Sequence, residues 1–271
     1  MMAMTILSVA GAAESYPWLD AVSRQAADSL IDRHPTNSGF TRISVESGSF
    51  AKFLRALPLK PKGTPLRTYD GDRLVFAVYA GAIINLDVGK ADLQQCADTL
   101  IRLYSEHQYS KGKASGLNFK FTSGHAYPFA DYLAGKRPVV TGRQVNWRQV
   151  SPRTLSRKAF RQWLDIIFTY AGTASLARDL PKVKVSEARI GDLFISPGFP
   201  GHTVMIADMA VNSKTGAREV LLVEGFTPAQ DAHVIKNLLK PWRGSWFTLV
   251  PGEGLDTPVW DFAASELHRM P

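Results

Sequence analysis

From Gly191 to Val250 the chain is a succession of short apolar segments, residues 191–196, 203–211, 220–226, 234–237 and 245–250. PGFPG and NSKTG separate the first three. Segments of this length bounded by Pro, Gly and Asn are strand signals. A meander of them makes an antiparallel sheet, whose apolar face must be covered by something else in the chain. The upstream half supplies the cover. Apolar residues recur at helical spacing over 16–31 (Trp18, Val22, Ala26, Leu30), 92–107 (Leu93, Cys96, Ala97, Leu100, Ile101, Tyr104) and 154–170 (Phe160, Trp163, Leu164, Ile167, Phe168). Helices first and strands afterwards make an α+β fold.

Smaller elements fall between these. His34-Pro35 stops the first helix, residues 41–45 alternate like a strand, and Ser49 caps a short helix reaching Leu57 before Pro58 and Pro61. TYDGDRL is a turn by its Asp-Gly pair. Residues 75–86, VFAVYAGAIINL, read as a buried strand, 118–121 as a strand and 129–133 as a helical turn. Neither an internal repeat nor a low-complexity linker divides the 271 residues, so 1–271 is expected to be a single domain with an N-terminal extension over about 1–40. The apolar stretch 3–13 ends in an A-x-A pattern like a signal peptide but lacks the basic segment that precedes one; the alternative is a helix or strand of the mature chain. No apolar run reaches the roughly 20 residues of a membrane span.

With one cysteine, Cys96, the chain has no internal disulfide and no zinc site built on several thiolates, and no cofactor or metal is implied. Lys and Arg outnumber Asp and Glu 32 to 24, a net charge of +8 that attracts polyanions. Dense basic sequence occurs only over 60–67, so no dedicated nucleic-acid site is expected, which leaves an anionic membrane or an anionic cell-wall polymer as the polyanion.

DLQQCAD places Cys96 near a helix start. Asp92 and Gln95 match a capping box with Asp92 at the N-cap and Gln95 at N3, which puts Cys96 in the first turn. Unsatisfied N–H groups and the positive end of the helix dipole stabilise an anion there and lower a thiol's pKa, the chemistry a nucleophile needs. The plain alternative is a small hydrophobe on the apolar stripe. A thiol nucleophile requires a base, and the base a partner. Of the histidines, His34, His107 and His268 sit in flanking or distant positions, His125 lies in a turn, and His233 opens a strand after a loop. His202 differs, standing at the start of an apolar strand in GDLFISPGFPGHTVMIADM. Glu224 lies on the next strand across NSKTG. An odd loop length, three residues for example, puts His202 and Glu224 on one face within a cross-strand step, and a one-residue change of register separates them.

GDLFI followed by GHTVMIADM resembles the second half of papain-like cell-wall peptidases of the NlpC type, in which a G-D-L strand precedes an H-V-x-I strand bearing the basic histidine. The nucleophile of that family is a cysteine near the start of an earlier helix, the place of Cys96. The family's D-C-S-G around the nucleophile is replaced here by Q-C-A-D, and the longer interval from Cys96 to His202 implies an insertion. Across GSFAKFLRALPLKPKGTP, YDG, LDVG, DLQQCAD, FTSG, GDLFI, PGH and PAQ the chain resembles more closely a bacterial family of uncharacterised domains, which carries no activity.

The peptidase resemblance implies a papain-like core, with the Cys-bearing helix packed on an antiparallel sheet and extra helices before it. It implies a Cys96–His202–Glu224 triad that cleaves amides of peptidoglycan stem peptides. The backbone N–H of Cys96 would serve the oxyanion, with Gln94, Gln95 or Tyr69 as a second donor and Thr122, Ser123 and His125 as substrate contacts. Acyl transfer or lipid deacylation by the same residues, and a non-catalytic member that binds wall or protein, are the alternatives. The destination implied is the periplasm or outside the cell, by signal peptide or specialised secretion, with an inhibitory immunity protein as a further partner.

Overall fold

The computed structural model describes residues 15–20, 23 and 28–271. In chain order its helices are α1 (Leu30–Arg33), α2 (Phe50–Arg55), α3 (Cys96–Ser110), α4 (Phe129–Leu133), α5 (Arg157–Tyr170) and α6 (Thr173–Asp179). Its strands are β1 (Phe40–Arg42), β2 (Ala80–Ile83), β3 (Asn118–Lys120), β4 (Ala126–Pro128), β5 (Lys136–Thr141), β6 (Gln144–Gln149), β7 (Asp192–Ser196), β8 (His202–Asn212), β9 (Arg218–Glu224), β10 (His233–Ile235), β11 (Trp246–Leu249), β12 (Leu255–Asp256), β13 (Asp261–Phe262) and β14 (Leu267–Arg269). The fold is mixed α+β. An 8-stranded antiparallel sheet runs β14-β7-β8-β9-β10-β2, with β1 also on β8 and β11 also on β9. Two-stranded sheets β3-β4 and β5-β6 lie between the α3 and β7 segments.

The central strands are buried along nearly their whole length, as a sheet covered on both faces requires. α5 lays Phe160, Trp163, Leu164 and Ile167 fully into the core, each contributing about 1.5–3 kcal/mol by removing apolar surface from water. Local chemistry sets the helix starts: Ser156 Oγ accepts from the Ala159 N–H and Ser49 Oγ from the Lys52 N–H.

Two buried ionic centres fix the elements that carry the site. Arg102 on α3 donates to Glu106 (2.6 Å), Gln94 (3.0 Å) and Asp87 (3.0 Å). Arg157 and Arg161 of α5 donate to Glu106 and Gln94, so α3, α5 and the loop leading to Cys96 share one network. Asp208 on β8 accepts from Arg42 of β1 (2.6 Å) and Arg55 of α2 (2.7 Å). Because every member is paired, neither centre leaves a buried charge without compensation.

Several expectations change. The signal-like stretch 3–13 lies outside the described residues, as does much of the helix expected over 16–31; of the latter the structure shows a turn from Tyr16 to Leu19 and α1, capped at His34. Only Ala80–Ile83 of 75–86 is a strand, and Val75, Phe76 and Val78 are exposed. The β5-β6 hairpin, α6 and β14, which pairs with β7 at the sheet edge, were not anticipated. His268 and His107 are buried, the latter with Nε2 3.1 Å from the Gly48 carbonyl. Among the described residues no helix is long and apolar enough to cross a membrane.

Candidate functional site

Cys96 is the first residue of α3, with Gln95 and not Asp92 at the N-cap. The Asp98 carboxylate accepts from the Gln95 N–H (3.1 Å), the return half of a capping box. Asp92 is diverted by a tertiary contact: its Oδ1 accepts from the Ala229 N–H (2.7 Å) and from Gln95 Nε2 (2.9 Å). The loop before α3 is thereby tied to the segment after β9.

That segment brings the second half of the site. At Gly225 an added Cβ would come within 3.0 Å of the Gln95 carbonyl oxygen and 2.2 Å of Thr99 Oγ1. Only glycine lets the end of β9 lie this close to the first turn of α3. Glu224, immediately before it, is fully buried. His202 Nε2 lies 2.7 Å from Glu224 Oε2. His202 is 2% exposed, and the rings of Phe226, Trp260 and Phe262 stand 5.0, 5.6 and 6.0 Å from its imidazole. Its orientation is fixed by packing as well as by hydrogen bonding.

His202 and Glu224 share a face because of a β-bulge. The hairpin's innermost pair, Val211 with Arg218, leaves an even-numbered loop, 212–217, and this register continued along the strands would set Glu224 opposite Met205, turned away from His202. Between Ile206 and Asp208 the register slips, Ala207 being the extra residue. Past it Met205 faces Val223, so Val204 is the position opposite Glu224 and His202 lies on the same face. The loop is even, whereas an odd length is what brings His202 and Glu224 to one face in a regular hairpin; the bulge supplies the missing step.

A cleft of about 440 Å³ opens on this corner, lined by Cys96, Gln95, Phe168, Thr173, Thr227 and the 198–201 turn that leads into His202. Such a volume suits a segment of peptide or a small molecule. The thiol does not show the lowered pKa expected of a helix start. Burial pushes it up to about 11, the carboxyls of Asp98 and Glu224 push the same way, and the backbone N–H groups of Cys96 and Ala97 offset only part of this. Burial likewise drives Asp98 well above the ordinary carboxylate range. Glu224 goes the other way: burial favours its neutral form, yet hydrogen bonds from His202 and His233 outweigh that and hold the carboxyl below its ordinary value.

Of the other expected contacts, Gln95 lines the cleft. Its Nε2 is bonded to Asp92 and its Oε1 accepts from Thr227, which leaves one amide hydrogen to offer. Gln94 is consumed by Arg102, Arg161 and the Asp87 carbonyl. Tyr69 does not line the cleft; its N–H pairs with the Ala229 carbonyl, two residues past Thr227. Thr122 and Ser123 line a neighbouring cavity of about 460 Å³ that shares Thr169, Ala171 and Phe199 with the Cys96 cleft. His125 Nδ1 is bonded to Ser123 Oγ (3.0 Å).

His233 stands outside the sequence motifs that mark Cys96, His202 and Glu224. It stands directly across from Glu224 in the β10-β9 ladder, with Nε2 3.0 Å from Glu224 Oε1. The sequence signal was only its place at a strand start. Among the described residues no group of three or more His, Cys, Asp or Glu side chains forms a metal-holding cluster.

No curated protein and no solved structure matches this chain. A family model described as domain of unknown function 4846 (DUF4846) matches residues 30–269. Spanning nearly the whole chain, site included, that match makes this protein a member of the DUF4846 family.

Proposed function

We propose that the protein is a papain-like cysteine hydrolase that cleaves an amide of peptidoglycan stem peptides, with Cys96 as nucleophile, His202 as base and Glu224 as the partner of His202. The observation that carries this reading is the His202–Glu224 hydrogen bond, with Glu224 one residue before the glycine packed on the first turn of the Cys96 helix and His202 next to the 198–201 turn that walls the Cys96 cleft. Because Nε2 of His202 is committed to Glu224, Nδ1 is the nitrogen left for the thiol. A thiol pushed up to about 11 is neutral at rest. His202 therefore takes its proton as Sγ attacks, rather than holding a preformed thiolate.

The C–S bond forms as the carbonyl π bond opens, and the oxyanion is met by the Cys96 N–H and the free amide hydrogen of Gln95. Collapse of this intermediate breaks the C–N bond, and His202 returns its proton to the departing amine. Water, deprotonated by His202, then hydrolyses the thioester and restores the thiol. Asp92, Gln95, Thr169, Thr173 and Thr227 give the cleft polar groups beside the apolar Leu93, Phe168, Phe199 and Pro200, a mixed lining of the kind that takes a peptide with both backbone and side chains to bind. The net charge of +8 holds the protein near an anionic wall. The periplasm or the wall is the corresponding destination, and an immunity protein covering the cleft the corresponding inhibitor.

Purified sacculi provide the test. Wild-type protein releases new amino groups, Cys96→Ala releases none, and His202→Ala falls by about a hundredfold or more. Equal release by wild type and Cys96→Ala sinks the reading. The non-catalytic alternative predicts no release by any of the three.

A further inference from the structure

We infer that His233 is held as an imidazolium that shares Glu224 with His202, a positioning residue that supplies the buried carboxylate's counter-charge and so leaves His202 free to act as a base. The inference deepens the proposed function, and its catalytic consequence rests on that reading.

His233 is fully buried, with Nε2 3.0 Å from Glu224 Oε1 and Nδ1 3.1 Å from the Asp231 carbonyl oxygen. A carbonyl oxygen only accepts, and an ionised carboxylate only accepts, so both ring nitrogens must carry protons. Glu224 is then used on both oxygens, Oε2 by His202 and Oε1 by His233. A buried carboxylate requires one compensating positive charge. If His233 provides it, His202 needs to donate only its Nε2 proton and stays neutral. If His233 did not, Glu224 would draw the charge onto His202 and occupy the site that receives the thiol proton.

The surroundings agree with this assignment. The Asp231 carboxylate, next along the chain, is already taken by Lys60 Nζ (2.8 Å) and the Arg67 N–H (3.1 Å), which leaves its backbone carbonyl to orient His233. The Tyr79 ring stands 5.4 Å from His233, and Ile83 is the cross-strand neighbour on β2. Toward the start of α3 the titratable groups are Asp92, Cys96 and Asp98, all of which line the cleft.

Two measurements on the full chain test it. In the ¹⁵N-labelled wild type at pH 7, long-range imidazole correlations are expected to show both His233 nitrogens protonated and His202 protonated on Nε2 alone. A His233 ring carrying one proton at pH 7 overturns the inference. His233→Gln keeps a donor toward Glu224 and removes the charge. Its pH profile for alkylation of Cys96 by iodoacetamide is expected to have an acid limb shifted up by about one pH unit, because His202 then holds the proton. A profile that overlays the wild type overturns it as well. The NMR arm needs neither turnover nor a reactive thiol, so an inert Cys96 would defeat the proposed function and leave this inference standing.

Discussion

The Cys96 thiol couples its own ionisation to the stability of the fold. Its value rises from 9.0 to about 11 on folding, with burial as the first cause. A raised acid favours its protonated form in the folded state, so the contribution is fully present below pH 9 and is lost as the pH climbs toward 11. Between pH 8 and 10.5 the wild type is expected to lose about 2 kcal/mol relative to Cys96→Ala, read from urea midpoints of the two proteins. Parallel curves would mean that the thiol is as acidic when folded as when unfolded. The sequence singled out Cys96, His202 and Glu224 because residue type and strand position are written in it. It did not show the direction of the thiol's shift, which depends on depth beneath the surface and on Asp98 and Glu224 nearby. His233 was hidden for a related reason: its partner is set by the β10-β9 register, which no local pattern encodes.

At the scale of elements, the contact between β9 and α3 is the joint of the site. Gly225→Ala would drive a Cβ into the Gln95 carbonyl and Thr99. The expected cost is about 1–3 kcal/mol of stability, the price of overpacking, together with a loss of sacculus hydrolysis well beyond what that cost explains. Circular dichroism melts and the amine-release assay on the same preparation separate the two effects. Retained activity in a folded Gly225→Ala protein would show that the joint tolerates a gap. Helices α3 and α5 and the core strands were legible in the sequence because their periodicity and burial agree. The start of α3 was displaced from Asp92 to Cys96 because the Asp92 carboxylate is taken by the Ala229 N–H, and Asp98 accepts from the Gln95 N–H instead. Residues 75–79 failed as a buried strand because apolar composition alone does not provide a neighbouring strand; only Ala80–Ile83 finds one, in β10.

For the whole molecule, the site is assembled from segments far apart in sequence: the start of α3, the start of β8 and the end of β9, with Trp260 and Phe262 from the C-terminal region packed against His202. The α+β class and the order of helix before sheet followed from the meander and the amphipathic helices. The bulge at Ala207 did not, since nothing in HTVMIADM marks one residue as unpaired. The most direct check of this assembly is the rate of Cys96 alkylation by iodoacetamide in the native protein, followed by intact mass, where a single cysteine makes the product unambiguous. The wild type is expected to take one adduct, with His202→Ala slower by about tenfold or more at neutral pH because the thiol has lost its base. A wild-type thiol that stays unmodified until the protein is denatured, or equal rates in the two proteins, would contradict the account.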